Sequence, residues 1–152
     1  MTGAADPYDL GRFVEAQTHC YARVLQELAA GEKTGHWMWF IFPQLKGLGV
    51  SATARRFGLS GLEEALAYLA HPLLGSRLRE CTRIVRAVEG RTAHEIFGSP
   101  DDLKLRSCLT LFARAAATSP AADDRVFGEA LAKYYRGEPD PRTLELLTSW
   151  AS

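Results

Sequence analysis

Between Tyr8 and Ala30, apolar residues fall at Leu10, Phe13, Val14, Tyr21, Val24, Leu25 and Leu28. That spacing suits one long helix or two short ones, and Gly31 ends it. Lys33-Thr34-Gly35 reads as a turn into His36-Trp37-Met38-Trp39-Phe40-Ile41-Phe42, which Pro43 closes because proline disfavours helix in the residue before it. One or two helical turns, or a short strand, are expected there. Gln44 to Val50, with Gly47 and Gly49, reads as loop, after which Ser51 caps a short helix through Phe57 and Gly58 stops it. Ser60-Gly61-Leu62-Glu63 has the capping-box pattern and opens a helix to about Ala70.

After His71, Pro72 suits a first helical position, and Leu74, Leu78, Cys81, Val85 and Val88 form one stripe that ends at Gly90. A brief helix over Thr92–Phe97 stops at Gly98. Ser99-Pro100-Asp101-Asp102 then supplies a cap, a first-turn proline and two acids at the positive end of the next helix dipole. That helix should run to about Ala117 and be central, since Leu105, Leu109, Phe112, Ala113 and Ala116 cover a broad arc. Asp123 or Asp124 caps a helix bearing Phe127, Leu131, Tyr134 and Tyr135, ended by Gly137, and Asp140-Pro141 opens a last one with Leu144, Leu147 and Trp150. No stretch alternates apolar with polar, and no Asn-Gly or Asp-Gly hairpin signal occurs. The expectation is all-α: a compact single-domain bundle of about seven helices over residues 9–152, behind a flexible N-terminal tail at residues 1–8.

Composition narrows the function classes. The chain has 152 residues, 47% hydrophobic and 24% charged, a balance that lets a domain of this size bury a core of its own. Lys plus Arg and Asp plus Glu both number 18, so no global field draws the protein to nucleic acid or to an anionic membrane. The longest apolar run, Trp37–Phe42, is far short of the ~20 residues a membrane helix needs. Without a secretory signal pattern at its start, the chain is expected in the cytoplasm. Cys20, Cys81 and Cys108 are odd in number and sit among apolar neighbours, as free thiols in a reducing compartment would. No His or Cys pair has metal-ligand spacing, so neither a metal nor a cofactor is expected. Oligomeric state leaves no mark in the sequence.

The densest chemistry is in Gly35–Leu45, where two of the three tryptophans stand together. A buried aromatic knot would account for them. A ligand pocket would also account for the polar residues around them: Lys33, His36 and Gln44 beside Trp37 and Trp39 offer stacking for a flat ring, donors for its edge and an ammonium for an anion. Arg77 and Lys104 are possible charge partners. Arg77 lies one turn from the start of the helix at Pro72, where the N–H groups of Leu73, Leu74 and Gly75 and the small Gly75 suggest a second anion-friendly place. If the ligand is cleaved at a glycosidic bond, Glu27 or Asp102 is the candidate acid. The competing class is a non-enzymatic adaptor whose aromatic segment docks a protein partner. No serine elbow, phosphate loop or dinucleotide fingerprint is present.

Several strings carry a family resemblance: Arg12-Phe13-Val14 with Ala16-Gln17, then Tyr21 and Glu27-Leu28, then Gly31-x-Lys33-x-x-His36-Trp37-Met38-Trp39-Phe40-Ile41-Phe42-Pro43-Gln44-Leu45. Tyr68-Leu69-x-His71-Pro72-x-Leu74-Gly75-x-Arg77-Leu78, Ile96-Phe97-Gly98-x-x-Asp101-x-x-Lys104-Leu105 and Thr110-Leu111-Phe112 continue it. Together they resemble a bacterial family of unknown function, number 1810 in the domain-of-unknown-function series and sometimes labelled calpastatin. The resemblance implies a compact helical cytoplasmic fold without a settled activity. The helix order is also similar, more weakly, to the NAD- and ADP-ribose-associated N-glycosidases, which implies a nucleotide-like ligand and possible hydrolysis. Their motif of glutamate before histidine and tyrosine is echoed at most by Glu15-Ala16-Gln17 with Tyr21.

Overall fold

The computed structural model describes residues 6–119 and 121–151. Among the described residues ten α-helices follow one another, seven of them of seven residues or more: α1 (Gly11–Gln17), α2 (Tyr21–Ala30), α3 (Met38–Ile41), α4 (Ala52–Phe57), α5 (Leu62–Ala70), α6 (Leu74–Ala87), α7 (Ala93–Phe97), α8 (Asp101–Ala115), α9 (Val126–Tyr135) and α10 (Pro141–Ala151). The fold is all-α. Among the described residues the only pairing of extended backbone is an isolated bridge between Leu45 and Leu59. Short 3-10 turns at Ala116–Thr118 and Ala122–Arg125 join α8 to α9. Among the described residues no helix is long and apolar enough to cross a membrane.

Helix α8 is central: it packs against α5, α7, α9 and α10 and buries Leu105, Cys108, Leu109, Leu111 and Phe112. Helix α6 forms a second layer against α2, α5 and α9 through Leu74, Leu78, Cys81 and Val85. Between them runs a line of aromatic contacts, Phe13 to Tyr68, Tyr68 to Phe112 and Phe112 to Phe127, with centroids 5.1, 5.5 and 5.8 Å apart. Cys81 and Cys108 are buried in this interior and Cys20 is half-buried, all three as free thiols. Burial in apolar surroundings pushes the Cys81 thiol up to about 12.

The start and stop residues act largely as their chemistry dictates. Gly31 closes α2 in the left-handed conformation, φ 72°, and Ser51 caps α4 by accepting the Ala54 N–H. Asp140 takes the Thr143 N–H at the start of α10. Some expectations shift by a residue or a partner. The carboxylate that reaches back to Ser60 is Glu64, not Glu63; Gly61 occupies the cap position, so the reciprocal acid falls one residue later. Glu64 also holds Arg12, at 2.9 Å. The reciprocal capping box forms instead at Thr92 and Glu95, opening α7. Pro72 and Pro100 stand just before α6 and α8 rather than inside them. Neither Asp123 nor Asp124 caps α9; Asp124 pairs with Arg79 at 2.5 Å. Of the tail expected at residues 1–8, residues 1–5 lie outside the described residues. Asp6 accepts the Leu10 and Gly11 N–H groups and so tethers the start of α1. The Trp150 side chain also lies outside them.

Candidate functional site

The tryptophan segment begins where Gly31 ends α2, and Lys33 is pinned by its N–H to the Ile96 carbonyl at 2.8 Å. From α2 the Glu27 carboxylate reaches into the turn that follows. Its Oε1 accepts three N–H groups, from Thr34 at 2.7 Å, Gly35 at 2.9 Å and the Trp37 indole at 2.9 Å. Burial pulls the Glu27 pKa upward, but the donors of Gly35, Thr34 and Trp37 together outweigh it, and the carboxyl lies below its ordinary value. A Cβ on Gly35 would stand 2.8 Å from Trp37 Cδ1, so only glycine lets the turn fold this tightly onto the indole. Glu27 is thus a clasp for the turn.

Trp37 is 2% exposed and stacks toward Phe42, 6.2 Å away, which meets Phe97 at 5.9 Å. A guest could not reach that ring without unpacking the core. Trp39, two residues on in α3, is only half-buried. Over its ring sits the Lys104 ammonium, 3.6 Å from the centroid. Lys104 comes from the first turn of α8, as does Asp101, whose Oδ1 lies 3.3 Å from the Lys104 Nζ. Asp101 Oδ2 lies 2.7 Å from Lys33 Nζ. The Lys33 side chain is 7% exposed, also donates to the Gly35 carbonyl at 2.5 Å, and lies 4.9 Å from the Trp37 centroid. Two ammonium groups therefore share one carboxylate between two indoles.

Lys33, Trp37, Trp39 and Lys104, expected from sequence to act together, do meet here. Others stand apart. His36 is exposed and makes no hydrogen bond among the described residues. Gln44 is buried and its carbonyl accepts the Leu59 N–H beside the isolated bridge. Asp102 faces His94, at 3.3 Å, while its carbonyl accepts the Tyr135 hydroxyl. Arg77 belongs to a different assembly, its Nη1 donating to Gln17 Oε1 at 3.1 Å and its guanidinium 4.5 Å over the Tyr21 ring. The start of α6 is not open to an anion either. His71 Nδ1 accepts the N–H groups of Leu73 and Leu74, and the His71 carbonyl that of Gly75. A Cβ on Gly75 would lie 2.1 Å from the Leu69 carbonyl oxygen, so this glycine serves the close approach of α5 to α6.

Asp101 as the shared counter-ion was not singled out by sequence reasoning. Its pairing with Lys104 was readable at i,i+3 spacing, but Lys33 lies 68 residues away along the chain. Among the described residues no group of three His, Cys, Asp or Glu side chains is arranged to hold a metal ion. A cavity of about 550 Å³ lies elsewhere, between the end of α8 and α9, lined by Ala113, Ala116, Ser119, Asp124 and Gly128 among others.

The model of a family described as proteins of unknown function, DUF1810, matches residues 7–147. The chain belongs to the DUF1810 family. It is similar to a solved structure, that of the conserved hypothetical protein Rv1873 from Mycobacterium tuberculosis, with 58% identity and a TM-score of 0.89. The match covers 94% of this chain and 99% of that one. No curated protein matches. The weaker likeness to N-glycosidases finds no support in these matches, so within DUF1810 the site must be read from its own geometry.

Proposed function

We propose that this chain binds a small anionic ligand carrying a flat ring, nucleotide-like in its chemistry, at the face formed by Trp39, Lys104 and Lys33. The observation that carries the reading is the sharing of Asp101 by two lysines, at 2.7 and 3.3 Å, beside a half-buried indole. Asp101 is divided between two ammonium groups and lies closer to Lys33, so the Lys104 ammonium, at 3.3 Å, is the one able to turn to an incoming anion. Lys104 sits on a flexible stem at the rim. Its ammonium can move from the indole to an incoming phosphate, leaving the ring face to a heterocycle. Turnover is a different matter, because the two carboxylates considered for glycosidic cleavage are committed elsewhere, Glu27 to the Gly35 turn and Asp102 to His94. The reading therefore stops at binding.

The test is a thermal-shift series with adenosine, adenosine monophosphate, ADP-ribose and inorganic phosphate on the native protein and on Trp39→Ala, Lys104→Ala and His36→Ala. Binding to the folded state raises Tm by mass action. A phosphorylated nucleoside should stabilise the native protein and His36→Ala, and fail to stabilise the other two variants. Equal shifts in all four proteins, or none with any anion, would refute the site.

A further inference from the structure

A second assembly lies where α1, α2 and α6 meet. Gln17, at the end of α1, is 1% exposed, and its Nε2 donates to the Phe40 carbonyl at 2.8 Å and to the Tyr68 hydroxyl at 3.2 Å. A carbonyl only accepts, so the amide nitrogen must face Phe40 and the amide oxygen must face Arg77. That oxygen takes Arg77 Nη1 at 3.1 Å, and the Tyr21 ring supports the guanidinium from below. The head group is fixed in place while the residue as a whole is only half-buried.

Glu80 is on the same helix at i+3, the spacing at which an arginine usually finds a carboxylate. Yet no carboxylate lies within ion-pairing distance of Arg77 among the described residues. Tyr21 keeps the two apart: its ring holds the guanidinium, and its hydroxyl donates to Glu80 Oε1 at 2.5 Å. Of the five N–H donors of a guanidinium, one is used within the protein among the described residues. The remaining donors of the fork are held in orientation and have no partner within the protein among the described residues.

We propose that Arg77, positioned by Gln17 and Tyr21, is a binding site for an oxyanion, separate from the Trp39 face and sharing no residue with it. The ligand chemistry is two oxygens of one anionic group taken by parallel N–H donors, which phosphate monoesters and carboxylates both provide. The helix start adds nothing, since His71 already occupies its N–H groups. Specificity rests on the planar fork.

The experiment follows the Arg77 side-chain Nε–H resonance of the folded protein during separate titrations with inorganic phosphate and with acetate. A saturable shift with either anion is expected, and the stronger one identifies the class. Arg77→Lys keeps the charge and loses the fork, so, followed at the Gln17 side-chain amide resonances that both proteins carry, binding at this site should weaken about tenfold. Lys104→Ala should leave the Arg77 titration unchanged, which separates this site from the Trp39 face whatever the fate of that reading. No shift at millimolar anion, or equal affinity in Arg77→Lys, would overturn the proposal.

Discussion

The Glu27 clasp and the Lys33–Asp101–Lys104 cluster are neighbours, joined where Lys33 donates to the Gly35 carbonyl, yet they are balanced differently. At the clasp one buried carboxylate oxygen meets three donors, and the tryptophan involved is sealed into the core. At the cluster two ammonium groups meet one carboxylate, and the tryptophan involved is only half-buried. The first arrangement is complete within the protein and so serves stability. The second divides one carboxylate between two cations, a difference between the surroundings of two neighbouring tryptophans that the sequence presents alike.

The largest effect should come from breaking the complete side. Glu27→Ala leaves three donors without their acceptor and is expected to cost about 3 kcal/mol, read as a fall in the urea midpoint. Gly35→Ala pushes a methyl into Trp37 and should cost about 1.5 kcal/mol in the same measurement. The two losses should not add, because both act through the Trp37 contact.

Acidity offers a gentler probe. The folded pKa of Glu27 lies below its ordinary value, so the unfolded chain takes up the proton first as pH falls. Its stabilisation is then fully present above the ordinary glutamate range and is lost as pH drops through the lower, folded value. Glu27→Gln should accordingly flatten the acid limb of the stability profile and leave its slope near neutrality unchanged, as denaturation at a series of pH values would reveal. At the cluster the stability cost should be smallest: Lys104→Ala is expected to change it by about 0.5 kcal/mol or less, since a partly exposed pair of this kind contributes little, while abolishing the ligand-induced Tm shift.

The balance of these regions was only partly legible in the sequence. Local signals worked where one residue decides the outcome, as with Gly31, Ser51 and Gly98. They slipped where a motif depends on register, as at Ser60, whose partner is one residue further on. Lys33, Trp37, Trp39 and Lys104 could be chosen for their chemistry, but nothing local marks Glu27 as a clasp rather than an acid. That distinction lies in which N–H groups surround it, and those belong to a turn whose path is set by a glycine. Gly75 misled for a similar reason: closeness to Leu69 and closeness to a ligand require the same small residue.

The proposed site requires one indole to be open to a ligand and the other closed. The indole N–H resonances of Trp39 and Trp37, followed while adenosine monophosphate is titrated into the native protein, compare the two within one sample. A saturable movement of Trp39 with Trp37 fixed against Glu27 is expected; an unmoved Trp39, or a Trp37 that moves as far, would rule the site out.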